Sequence, residues 1–155
     1  MYGHVPASYR GCREVATVGE DRVKSGVIET FAQRYRVKPT EVTRQIEREV
    51  IGGDWGANGY TTVGQADGLG RELSLGPGSL LLDLGAGRGW PGLYLAATTG
   101  CRVVMADVPA DALRLALHRA GDEGLADRAA AVRCSATGLP LRPRCVDAVV
   151  HADVL

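Results

Sequence analysis

A surplus of charge of either sign is missing from this chain, whose 155 residues hold 18 lysines and arginines against 18 aspartates and glutamates. Such a balance gives no field to gather nucleic acid or an anionic surface, so neither nucleic acid nor a membrane is expected as a partner. Long apolar runs are missing too. The strongest, Leu80 to Leu84 and Val146 to Val150, are strand-sized and far below the roughly 18 residues of a membrane helix. No apolar signal core opens the sequence, and a cytoplasmic protein is the simplest expectation. Cysteine is sparse: Cys12, Cys101, Cys134 and Cys145 form no C-x-x-C pair, and His4, His118 and His151 are equally scattered. That spacing excludes a metal site built from local ligands and predicts reduced, mostly buried thiols.

What is present divides the chain into three parts. Residues 1–19 mix Gly3, Pro6, Gly11 and Gly19 without an apolar period, which predicts a loose arm. Residues 20–75 carry N-terminal helices and a loop. Val23, Val27 and Phe31 recur at helical spacing between Asp21 and Arg36, with Ile28 and Tyr35 beside them. Pro39 and Thr40 start a second helix whose stripe is Val42, Ile46 and Val50, and Gly52-Gly53 ends it. Both helices are expected to pack on the domain. A glycine-rich loop with Trp55 and Tyr60 follows, its aromatics either lining a pocket mouth or anchoring the loop to the core, and then a short helix near residues 66–73. From residue 76 onward strand and helix patterns alternate, which predicts a parallel sheet with right-handed crossovers. The strands fall at 79–84, 101–106, 129–134 and 146–151, and the crossover helices begin near Pro91 and Pro109.

Chemistry concentrates where the first strand ends. Leu81-Leu82-Asp83-Leu84-Gly85-Ala86-Gly87-Arg88-Gly89 runs from a buried strand into a glycine turn. Glycines there let a ligand approach the backbone, and a helix N-terminus behind them favours negative charge. Gly87, Gly89 and Gly92 also spell the G-x-G-x-x-G of a dinucleotide binder, with Asp107 at the distance of its ribose acid. Asp83 argues against that reading. A carboxylate at the strand tip repels a pyrophosphate and attracts a ligand bearing an ammonium and a sulfonium, which describes S-adenosylmethionine. Asp107 follows the second strand, where its two oxygens can accept from both ribose hydroxyls, the competing role being a helix cap before Pro109. The third strand leads to Ser135-Ala136, a place for adenine. The fourth leads to His151 and Asp153, which share one face and are the candidates to approach the methyl group or its acceptor.

Residues from about 55 to 155 therefore resemble class I S-adenosylmethionine-dependent methyltransferases, particularly the small-molecule branch that includes ubiquinone and menaquinone C-methyltransferases. The resemblance rests on the turn at 81–89, on Asp107, on Gly138-Leu139-Pro140-Leu141, and on Val146-Asp147-Ala148-Val149 through Asp153-Val154-Leu155. It implies a Rossmann-like α/β sheet preceded by N-terminal helices, and methyl transfer from S-adenosylmethionine to a small-molecule acceptor without a metal. Donor contacts are expected from Asp83, Gly85, Ala86, Gly87, Gly89, Asp107, Val108, Ser135, Ala136, His151 and Tyr60. Ser135 departs from the acid that many relatives place after the third strand. The sequence also stops where the family continues with further strands, which implies a shortened form holding the first half of the sheet. Its fourth strand would be an open apolar edge prone to self-association. A non-catalytic donor-binding or interaction module and a nicotinamide oxidoreductase are the alternatives.

Overall fold

The computed structural model of the chain describes residues 16–17, 25–57 and 59–152. Its elements are β1 (Ala16–Thr17), α1 (Ser25–Arg36), α2 (Glu41–Val50), α3 (Val63–Glu72), β2 (Leu80–Leu84), α4 (Gly92–Thr99), β3 (Arg102–Asp107), α5 (Ala110–Asp122), β4 (Ala129–Arg133) and β5 (Ala148–Val150). The strands form one parallel sheet in the order β1-β4-β3-β2-β5. This is a Rossmann-like α/β architecture. The four expected strands are present: β2 and β4 are one residue shorter than their sequence patterns, β3 has the expected length but is shifted one residue on, and β5 keeps three of six residues and lies on the far side of β2, at the edge among the described strands.

Alternation along the strands sorts the core into two layers. Leu81, Val103, Met105, Ala129 and Ala131 face α4 and α5, where they meet Leu93, Leu95, Leu113 and Ala116. Leu82, Val104, Ala106, Val132 and Cys134 face the other way and pack with Leu139, Leu141 and Val146 from the segment before β5. Continuous apolar strands of this kind are what a sheet buried on both faces requires. Asp147 fixes the start of β5: its carboxylate accepts from the Leu80 amide at 2.7 Å while its own amide donates to the Leu80 carbonyl.

Three parts of the N-terminal half differ from the sequence pattern. Ala16–Thr17 is a strand paired with β4 and not part of a loose arm. Such a ladder is made by backbone alone, so no side-chain period announces it. α3 starts at Val63, earlier than expected, because Thr62 and Gln65 form a capping box that satisfies the first amides of the helix. α2 matches its expected limits, with the Thr40 hydroxyl accepting from the Thr43 amide. Its apolar stripe, however, faces outward: Val42, Ile46 and Val50 are 67%, 56% and 53% exposed. The buried residue of α2 is Glu47, whose Oε1 accepts from the amides of Trp55 at 2.6 Å and Ala57 at 2.9 Å. A carboxylate satisfying two loop amides decides which face turns inward. α1 packs against α5, where Arg36 pairs with Asp111 at 2.9 Å. Of its expected apolar stripe, Val23 and the side chains of Val27, Ile28 and Phe31 lie outside what the structure describes.

Candidate functional site

At the carboxyl ends of β2, β3 and β4 the period-two alternation puts Asp83, Asp107 and Arg133 on the face that carries α4 and α5. The turn after β2 reverses direction through Gly85, Gly87 and Gly89 at φ of 76°, 52° and 94°. Side-chain-bearing residues rarely adopt that left-handed backbone, which accounts for the glycines. Four amides of the turn are already engaged. Gly85 and Ala86 donate to the Ala106 carbonyl, Gly89 to the Ala86 carbonyl, and Gly87 to Asp107 Oδ2 at 2.7 Å. Ala86 tucks its methyl into the core beside Leu93.

Asp83 acts in another direction from the one its sequence position suggests. It is 1% exposed and lies beneath the turn, with Oδ2 accepting from the Gly92 amide at 2.9 Å. The carboxylate thus caps the first amide of α4 and does not stand in the mouth of the turn. Burial pushes its pKa from the ordinary 3.8 up to about 8, opposed by the Gly92 hydrogen bond and reinforced by Asp107. The alternation with Leu81 contains the signal: both residues point under α4.

Asp107 is half-buried and gripped at both oxygens, Oδ2 by the Gly87 amide and Oδ1 by the Val108 amide at 2.7 Å. Burial raises its pKa, and the two amides oppose that shift. An ionised carboxylate offers about four acceptor positions, so two remain for the paired hydroxyls of a ribose. Val108 follows, with its carbonyl accepting from Arg133 Nε at 2.9 Å. Ser135 caps a short 3-10 helix at Ala136–Gly138, its hydroxyl within 3.4 Å of the Thr137 amide. Ala136 is exposed there. His151 is exposed just past β5, and Asp153 lies outside the described residues.

The N-terminal helices reach this end of the sheet. Arg88 leaves the turn and donates from Nη2 to the carbonyls of Tyr35 at 2.8 Å and Val37 at 3.0 Å. The C-terminus of α1 is thereby tied over the turn, and the Tyr35 hydroxyl lies so near Gly87 that a Cβ there would be 2.8 Å from it. The loop aromatics divide. Trp55 stacks on Trp90 at 5.5 Å and meets Tyr94 edge-on, and Trp90 Nε1 donates to the Thr61 carbonyl, so Trp55 anchors the loop to α4. Tyr60 is 83% exposed. Among the described residues no group of His, Cys, Asp and Glu could hold a metal, and no helix is long and apolar enough to cross a membrane. Arg88, Arg133 and Tyr35 are the site residues that sequence reasoning missed. Arg133 alone carried a signal, as a cation closing the apolar run Ala129-Ala130-Ala131-Val132.

Residues 81–155 match the model of a methyltransferase domain. An S-adenosylmethionine-dependent methyltransferase from Geobacter sulfurreducens, solved with S-adenosyl-L-homocysteine, is 28% identical with a TM-score of 0.52 over 58% of this chain and 36% of its own. A second, from Thiobacillus denitrificans and also solved with S-adenosyl-L-homocysteine, is 26% identical with a TM-score of 0.53 over 60% of this chain and 37% of its own. An N-methyltransferase from Haemonchus contortus, in complex with phosphomonomethylethanolamine and S-adenosylhomocysteine, shares the fold over 86% of this chain and 30% of its own, at 22% identity and a TM-score of 0.63. The chain thus spans little more than a third of either bacterial structure. No curated protein sequence matches it. In the methyltransferase-domain region the match begins at Leu81 and therefore takes in the turn, Asp107, Val108 and Ser135.

Proposed function

We propose that this chain is the donor-binding part of an S-adenosylmethionine-dependent methyltransferase acting on a small-molecule acceptor. The observation that carries the proposal is the state of the glycine turn. A phosphate cradle offers free amides to its anion, whereas the amides of residues 85, 86, 87 and 89 are spent on Ala106, Ala86 and Asp107. What the turn presents is a close backbone surface beside an acid with acceptor capacity left over, which suits a neutral ribose and disfavours a pyrophosphate. That argues against the dinucleotide reading on grounds independent of the glycine spacing.

In this reading Asp107 holds the ribose hydroxyls, the Gly85–Gly87 backbone lies along the methionine part, and Val108 with Ser135 and Ala136 borders the adenine. His151 lies where the acceptor would arrive. When bound, the donor supplies a methyl group already activated by its sulfonium charge, so the chain's own residues contribute orientation and exclusion of water. A small acceptor fits the balanced charge of the sequence.

Calorimetry with S-adenosylhomocysteine and, separately, NADH tests the proposal. Binding of the first with no response to the second is expected, and the reverse result overturns it. Assay of labelled methyl transfer to a panel of small acceptors then separates an enzyme from a module that binds the donor without turnover.

A further inference from the structure

Arg133 is a half-buried cation that makes no ion pair among the described residues. Partly burying a guanidinium without a carboxylate partner is unfavourable, so its one hydrogen bond invites explanation. That bond goes from Nε to the Val108 carbonyl at 2.9 Å. The same residue is held from its other side, because its amide donates to Asp107 Oδ1 at 2.7 Å. The Asp107 carbonyl in turn accepts from the Cys134 amide at 3.0 Å, and Asp107 is the register partner of Arg133 across β3 and β4. Pro109 follows and restricts the Val108 backbone to extended geometry. Every polar group of the Val108 main chain is therefore engaged and its conformation is fixed by three neighbours. What Val108 presents outward is its half-buried apolar side chain.

We propose that Arg133 is a positioning residue for donor selection: by holding the Val108 carbonyl it sets the wall against which the adenine base packs. The inference rests on the donor-binding reading above, and it adds a residue to which neither the glycine turn nor the ribose acid points. Arg133 acts through Val108 and does not itself need to touch the ligand.

The test is calorimetric titration of S-adenosylhomocysteine into the 155-residue chain and into Arg133→Met, Arg133→Lys, Val108→Ala and the Arg133→Met/Val108→Ala double variant, with Tm measured on each. Arg133→Met keeps length without a donor and, by releasing the Val108 carbonyl, should weaken binding about tenfold, equivalent to about 1.4 kcal/mol. Arg133→Lys, which keeps an amine for the carbonyl, should stay within about threefold of the parent chain. The two changes in the double variant should be markedly less than additive, because one acts through the other. Unchanged affinity in Arg133→Met, equal weakening in the Met and Lys variants, or full additivity overturns the inference. Should Arg133→Met fail to fold, Arg133→Leu, which also lacks a donor, replaces it in the cycle. Absence of binding by the parent chain would instead strike the donor-binding reading itself.

Discussion

Asp83 and Gly92 are in contact across the foot of the glycine turn, carboxylate to amide at 2.9 Å, with no room for a side chain between them. A Cβ on Gly92 would lie 2.8 Å from the Asp83 Cβ and closer still to its Oδ2. The third glycine of the apparent dinucleotide pattern is thus explained by helix-strand packing alone. Gly92→Ala should destabilise the fold by about 1–3 kcal/mol through overpacking, read as a lower urea midpoint with unchanged slope.

The raised pKa of Asp83 has a defined effect on stability. Its folded pKa of about 8 lies above the ordinary 3.8, so the folded chain holds a proton that the unfolded chain releases. Stability should fall as pH climbs from about 4 to about 8 and then level off, by an amount on the order of a few kcal/mol. Asp83→Asn, which keeps an acceptor for the Gly92 amide, should flatten that part of the profile. Denaturant midpoints measured between pH 5 and 9 decide it, and a variant as pH-sensitive as the parent would contradict the assignment.

Glu47 is the keystone of the α2–loop junction. Glu47→Ala would strand the amides of Trp55 and Ala57, an expected loss of about 2–4 kcal/mol if both stay dry. Thermal unfolding followed by tryptophan fluorescence reports it, since Trp55 is stacked on Trp90 and should loosen with the loop.

Asp107→Ala should weaken S-adenosylhomocysteine binding by about 1–3 kcal/mol. Because Asp107 also holds the Gly87 and Val108 amides, Tm should drop as well. A drop in Tm with undiminished affinity of the folded fraction would make Asp107 a purely structural brace.

The β5 edge yields a prediction about association. Val149 is 48% exposed on a strand that pairs only with β2 among the described elements. A lysine there blunts such an edge. Val149→Lys should lower the apparent mass in light scattering if the parent chain self-associates through this strand, and an unchanged mass would move the contact elsewhere.

Much of the α/β half was legible because its determinants are local: apolar runs of strand length, glycines at left-handed turns, and prolines ahead of α4 and α5. The N-terminal half was less so. An apolar stripe at Val42, Ile46 and Val50 predicts a buried face only when nothing stronger competes, and the demand of two loop amides for Glu47 outweighed it. At the site, the position of Asp83 was readable and its direction was not used, although Leu81 two residues earlier points the same way. The links from Arg88 to Tyr35 and from Arg133 to Val108 join distant segments through carbonyls, and carbonyls leave no mark in a sequence.

The strand order also carries a consequence for how the chain assembles. β2, β3 and β4 are joined in succession by single helices, whereas the chain after β4 returns past β3 and β2 to place β5 on the far side of β2, and β1 pairs with a strand more than a hundred residues away. Loop-closure entropy rises with such separations, and parallel pairing offers no short hairpin to seed it. The three inner strands should therefore gain protection first in pulsed hydrogen exchange, with β5 and β1 following. Asp83, Asp107 and Arg133 all lie at the carboxyl ends of inner strands, within the last two residues, so the site would be drawn together before the sheet acquires its margins.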